Sequence, residues 1–81
     1  MECNRMGAIK DVCEQIQEII EGRFGIRDVR VVAVSPTEIR LTGKTRSFYQ
    51  KQMAQETARQ QTERRGIPGV VLDVAVHVVG Y

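Results

Sequence analysis

The sequence predicts an α+β domain of order α-β-β-α-β, a three-stranded sheet with two helices packed on one face. Three observations carry this reading. Apolar residues recur every three or four positions between Ile9 and Ile20. Two short β-rich stretches flank Ser35-Pro36. A valine-rich run from Val70 to Val79 follows a second helical stretch. Each helix offers a single apolar stripe, so both need the same sheet face to cover.

The first helix is expected at about 7–22. Ile9, Val12, Cys13, Ile16, Ile19 and Ile20 form its apolar stripe, opposite Lys10, Asp11, Glu14, Gln15, Gln17, Glu18 and Glu21. Gly22 marks its end, and Phe24 or Ile26 folds back over the last turn. Val29–Val34 reads as a strand, β-branched and bounded by Asp28 and by Ser35-Pro36. Ser35-Pro36-Thr37-Glu38 is a turn with Pro36 at its second position. The next strand, about 38–45, therefore returns antiparallel as a hairpin. With Arg30 outward, Val29, Val31 and Ala33 face inward to meet Ile39 and Leu41. Val32 and Val34 then lie outward beside Arg40, Thr42 and Lys44, and Gly43 falls on the apolar side.

Around residue 45 the period changes from two to about 3.6, so this strand feeds directly into a second helix, expected at about 48–64. Ser47 opens it, with Gln50 as capping-box partner. Tyr49, Met53, Ala54, Thr57, Ala58 and Gln61 share its broad inner side, while Phe48 lies away from it. Arg64-Arg65 suits the negative end of the helix dipole, and Gly66 with Pro68-Gly69 stops it. In the last strand Val70, Leu72, Val74, Val76 and Val78 line one side; Val71, Asp73, Ala75, His77 and Val79 line the other. A strand so apolar on both sides is expected to be central or covered.

The element order, with Ile39-x-Leu41-x-Gly43, Ser47 opening the second helix, Ala54-x-x-x-Ala58, and Pro68-Gly69-Val70 before a valine-rich strand, resembles the BON domain, a bacterial osmotic-stress and nodulation module. The resemblance spans about 8–79. It departs in a longer gap between Ala58 and Gly69, in lacking an asparagine early in the last strand, and in a valine spacing shifted by one residue. It implies a non-enzymatic module that attaches to phospholipid surfaces or mediates protein contacts, with no catalytic residue to carry over.

At 81 residues, 42% hydrophobic and 27% charged, the chain has room for one folded domain, about 7–81, after a flexible stretch at 1–6. The formal net charge of +2 does not by itself indicate a nucleic acid partner. Charge is divided unevenly. Residues 1–22 hold Arg5 and Lys10 against five acids, whereas 40–65 hold Arg40, Lys44, Arg46, Lys51, Arg59, Arg64 and Arg65 against Glu56 and Glu63. The plain reading is two neighbouring helices with complementary solvated flanks; the sharper one is a basic surface for an acidic partner. Cys13 lies on the apolar stripe as a small core residue. With Cys3, a single histidine and no Cys-x-x-Cys, there is neither a disulfide framework nor a zinc pattern.

An enzyme is disfavoured, because no Ser/His/Asp, Cys/His or paired-carboxylate set occurs in a recognisable context. No cofactor and no small-molecule substrate are expected. A small KH-like RNA-binding domain is the alternative: Gly66-Ile67-Pro68-Gly69 matches its Gly-x-x-Gly loop, but here the loop precedes a strand and Pro68 removes an amide donor. Base-stacking aromatics are limited to Phe24, Phe48, Tyr49 and Tyr81. The candidate interaction face is the uncovered side of the sheet. Val32, Val34, Val71, Ala75 and Val79 form an apolar centre there, framed by Arg30, Arg40, Lys44, Asp73 and His77, as on partner surfaces. Arg46, Lys51, Arg59, Arg64 and Arg65 are candidate contacts to an anionic membrane surface. Partnership with a protein or a second copy comes first and nucleic acid last. The start carries no secretory pattern, so the sequence reads as cytoplasmic, or envelope-associated if it is cut from a longer precursor.

Overall fold

In a computed structural model, which describes residues 7–67 and 69–79, the chain runs α1 (Gly7–Gly22), β1 (Val29–Ser35), β2 (Glu38–Thr45), α2 (Phe48–Arg65) and β3 (Val71–Val78). The flexible stretch expected at 1–6 lies outside the described residues. The fold is the α+β arrangement read from the sequence. β1 and β2 form the antiparallel hairpin, joined by a turn in which the Ser35 hydroxyl accepts from the Thr37 N–H at 3.2 Å. β3 lies parallel to β2, giving a mixed sheet of order β1-β2-β3.

The order corrects one expectation. The valine-rich β3 is an edge strand, and the charged β2 is central. Connectivity sets this. β1 and β2 are held together by a two-residue turn, and only two residues separate β2 from α2, which returns the chain beside it. Hydrophobicity of β3 does not enter.

The core is one cluster between helices and sheet. Ile9, Val12, Ile16 and Ile20 from α1 meet Val29, Ile39, Leu41 and Val76, and Ala54 and Ala58 of α2 close it. The small side chains of Ala54 and Ala58 let α2 lie close to the sheet. α1 leans on β1 and α2 on β2 and β3, with the helices touching each other. Ile26 folds back over the end of α1, its N–H bonded to the Ile20 carbonyl at 2.8 Å. The left-handed residue in this turn is Gly25, at φ +67°, three positions after the expected stop at Gly22.

α2 opens as its cap residues direct. The Ser47 hydroxyl accepts from the Gln50 N–H at 3.2 Å, while Gln50 Oε1 accepts from the N–H of Arg46, one residue before the cap. Two otherwise orphaned amides are thereby satisfied. At its other end Gly66 adopts the left-handed conformation and donates to the Glu63 carbonyl. The inner face of α2 differs from expectation at both ends. Tyr49 is 66% exposed, and the buried stripe is Ala54, Thr57, Ala58 and Thr62. The broad set from Tyr49 to Gln61 is offset from the line of closest approach, which passes through Thr62. The Thr62 hydroxyl donates to the Arg59 carbonyl and needs no outside partner.

The free edge of β1 has a guard. The side-chain amide of Gln17 donates to the Val29 carbonyl at 2.8 Å and accepts from the Val31 N–H at 2.9 Å, occupying the place of a neighbouring strand's peptide. Replacing Gln17 by Leu leaves both groups without that partner. The expected loss is about 1–2 kcal/mol, read in urea unfolding and as faster hydrogen exchange at the Val31 amide.

Candidate functional site

The side of the sheet away from the helices is open. β1 contributes Arg30, Val32 and Val34 to it, β2 contributes Arg40, Thr42 and Lys44, and β3 contributes Val71, Asp73, Ala75 and His77, followed by Val79. All ten residues read as a candidate face lie on this side. Val32, Val34, Val71 and Val79 are 48, 43, 57 and 48% exposed. The distribution differs from an apolar centre with a charged frame. Because β2 is central, charge runs through the middle and the valines flank it. In register, Val32 pairs with Arg40 and Arg40 with Asp73; Arg30 pairs with Thr42 and Thr42 with Ala75.

The middle is held by ion pairs. Arg40 Nε donates to Asp73 Oδ2 at 3.0 Å, and an Arg40 terminal nitrogen stands 3.9 Å from Glu38. These groups are well exposed, so they order the face more than they stabilise the fold.

Below them the charges converge. An open hollow of about 670 Å³ is lined by Arg27, Asp28, Arg30, Lys44, Ala75 and His77 among others. Arg46 continues the basic lining around Arg27 and Lys44. Asp28 is the one acidic side chain among the described residues of this group. The site thus brings together Arg30, Lys44, Ala75 and His77 from the sequence candidates and adds Arg27, which sequence reasoning missed. Arg27 sits in the α1–β1 connection, where no periodicity assigns a direction to a side chain. Its only sequence signal is proximity to Asp28 at the start of a strand.

The other basic candidates do not form one patch. Arg59 is held along its own helix, bonded to Glu56 at 2.7 Å and Glu63 at 2.9 Å. The Glu56 hydrogen bond, then the charges of both acids, raise its already high pKa. Arg64 and Arg65 are exposed in the last turn of α2. Arg46 and Lys51 bracket the first turn, where Phe48 and Tyr49 are exposed and Lys51 Nζ stands 5.8 Å from the Phe48 ring centre.

Among the described residues, no group of three or more His, Cys, Asp or Glu is placed to hold a metal ion, and no helix is long and apolar enough to cross a membrane. The loop matched to Gly-x-x-Gly caps α2 with Gly66 and turns into β3 through Gly69 at φ +67°; its Pro68 lies outside the described residues.

Cys13 is buried within the core stripe of α1, and burial, followed by the charge of Glu14, pushes its thiol pKa up. Less thiolate is then present at any given pH below that value. In a Cys3→Ser variant, a disulfide reagent at pH 7–8 is expected to label Cys13 only when urea unfolds the chain; fast labelling without urea contradicts this burial.

The chain matches no protein family, curated protein or solved structure with which it was compared.

Proposed function

We propose that this chain is a non-enzymatic interaction module, similar in its element order to BON domains, whose uncovered sheet face docks against protein. The observation that carries the proposal is the asymmetry of the sheet. One side is closed by two helices, and the other presents four half-exposed valines on either side of an ion-paired strip. Exposed apolar groups of this extent beside ordered charges favour burial against a partner. The face accepts a second copy or a larger protein.

The test replaces Val32 and Val34 together by Lys. Both side chains are exposed, so the variant is expected to keep its circular dichroism. Its solution mass in light scattering is expected to fall below that of the unaltered protein at matched concentration. An unchanged mass counts against association of copies through this face.

A second reading has its own support. Arg27, Arg30, Lys44 and Arg46 gather at one end of the sheet, and the segment leaving it exposes Phe48 and Tyr49. Basic residues near anionic headgroups contribute about 1 kcal/mol each, and aromatic rings suit the interfacial zone. Sedimentation with vesicles containing phosphatidylglycerol is expected to weaken as salt rises. No binding at low salt removes this reading.

A further inference from the structure

The two edges of the sheet are treated differently. On β1 the Gln17 amide takes the place of a neighbouring strand. On β3 the Val71 and Val79 amides bond inward to the Thr37 and Thr45 carbonyls of the β2 side. By the alternation of a parallel ladder, the backbone groups of Leu72, Val74, Val76 and Val78 then point to the free edge. No described residue bonds to that edge. It is long, free of lysine and internal proline, and apolar, which makes it a template for another strand.

The residues along it say which strand. Read outward from Ala75, the sequence mirrors itself: Val74 and Val76, Asp73 and His77, Leu72 and Val78, Val71 and Val79. A two-fold interface brings each residue against its mirror position in the other copy. We propose that β3 pairs antiparallel with β3 of a second copy, with the two-fold axis at Ala75, joining two sheets into one of six strands.

In this register Val74 meets Val76 of the other copy and Leu72 meets Val78, exchanging the edge hydrogen bonds. Asp73 lies opposite His77, twice, as a non-hydrogen-bonded pair whose side chains are close. Arg40 occupies Asp73 Oδ2, so Oδ1 faces the imidazole. Lys44 is the register neighbour of His77 within the chain, and its charge is offset by the incoming Asp73. At the axis two Ala75 methyl groups meet without crowding. The pairing goes beyond the proposed face. It leaves Val32 and Val34 uncovered and sets two such faces side by side.

The decisive measurement is cysteine cross-linking in a Cys3→Ser background. The two Ala75 Cα atoms fall about 4.5 Å apart in such a pair, within disulfide range. Ala75→Cys is expected to form a disulfide-linked dimer under mild oxidation. Thr42→Cys is expected to stay monomeric in the gel, since its two copies are separated by three strand spacings, about 14 Å. Cross-linking of both in equal measure indicates face-to-face stacking instead and overturns the edge pairing, as does failure of Ala75→Cys to cross-link.

Charge provides the second arm. His77→Asp sets like charges opposite each other and is expected to weaken dimerisation about tenfold or more; His77→Lys keeps the dimer. Equal effects of the two overturn the register. The Val32→Lys, Val34→Lys double variant separates this pairing from the face. Retained Ala75→Cys cross-linking with unchanged mass leaves the edge and removes the face. Loss of cross-linking in the unaltered background with a fall in mass of the double variant does the reverse.

Discussion

Gly43→Ala is expected to unfold the domain or to cost about 3 kcal/mol or more, from combined backbone strain and overpacking. Gly43 sits at φ +125°, a conformation that only glycine adopts readily, and a Cβ built there would fall 1.9 Å from the Asp28 carbonyl oxygen. The contact is with backbone on both sides, so no flexible side chain can move away. The same approach lets the Lys44 N–H donate to the Asp28 carbonyl at 3.0 Å, which anchors the start of β1 against β2. Gly25→Ala is the control. Gly25 is also left-handed, at φ +67°, but a Cβ there meets nothing within 4 Å, so the cost is about 1 kcal/mol. Urea midpoints of the two variants check the difference. Comparable losses show that strain alone, without the close approach of Asp28, sets the Gly43 requirement.

Gly43 also links fold to surface. It holds Asp28, and with it the Arg27 backbone, against the strand that carries Lys44. The basic end of the sheet therefore depends on a residue without a side chain. A sequence reading places Gly43 on the apolar side by parity but has no means of seeing what approaches it, because Asp28 is fifteen positions away in a connection with no pattern.

The legible parts of the fold are those in which one residue's chemistry decides one local outcome. Large aliphatics at helical spacing make α1 unambiguous, and Ser47 with Gln50 marks the start of α2. The position of each strand in the sheet was not legible, because it follows from connectivity and not from composition. β3, apolar on both sides, reads as central, yet it is an edge; β2, alternating Ile39 and Leu41 with Arg40, Thr42 and Lys44, is half-exposed as its pattern reads and is the middle strand. Arg40 makes this tolerable by pairing across to Asp73 and back to Glu38. The inner face of α2 was only partly legible for a related reason. Its buried stripe is alanine and threonine, which carry too little hydrophobic contrast to fix a helical phase. The candidate face kept its membership but not its layout, since parity assigns sides while strand order assigns neighbours.

Leu41→Ala is expected to cost about 3–4 kcal/mol, within the range for a large aliphatic removed from a core. Leu41 is 0% exposed on the central strand, between both neighbouring strands and within the single buried cluster, so little around it can collapse into the space. Its register partner Val31 lies on the same inner side, whereas Val32, one residue on, points to the open face. Val32→Ala in dilute protein is expected to stay within about 0.5 kcal/mol of the unaltered chain. The pair of measurements tests one-sided burial directly. If unfolding is followed at rising protein concentration, any association through the face adds stability by mass action, and the loss at Val32 grows with concentration while that at Leu41 does not acquire a new component of its own. A Val32 loss as large as the Leu41 loss at the lowest concentration means that both sides of the sheet are covered within a single chain, and the docking face has no basis. A small Val32 loss that increases with concentration assigns the open valines to contact between molecules, where the fold leaves them available.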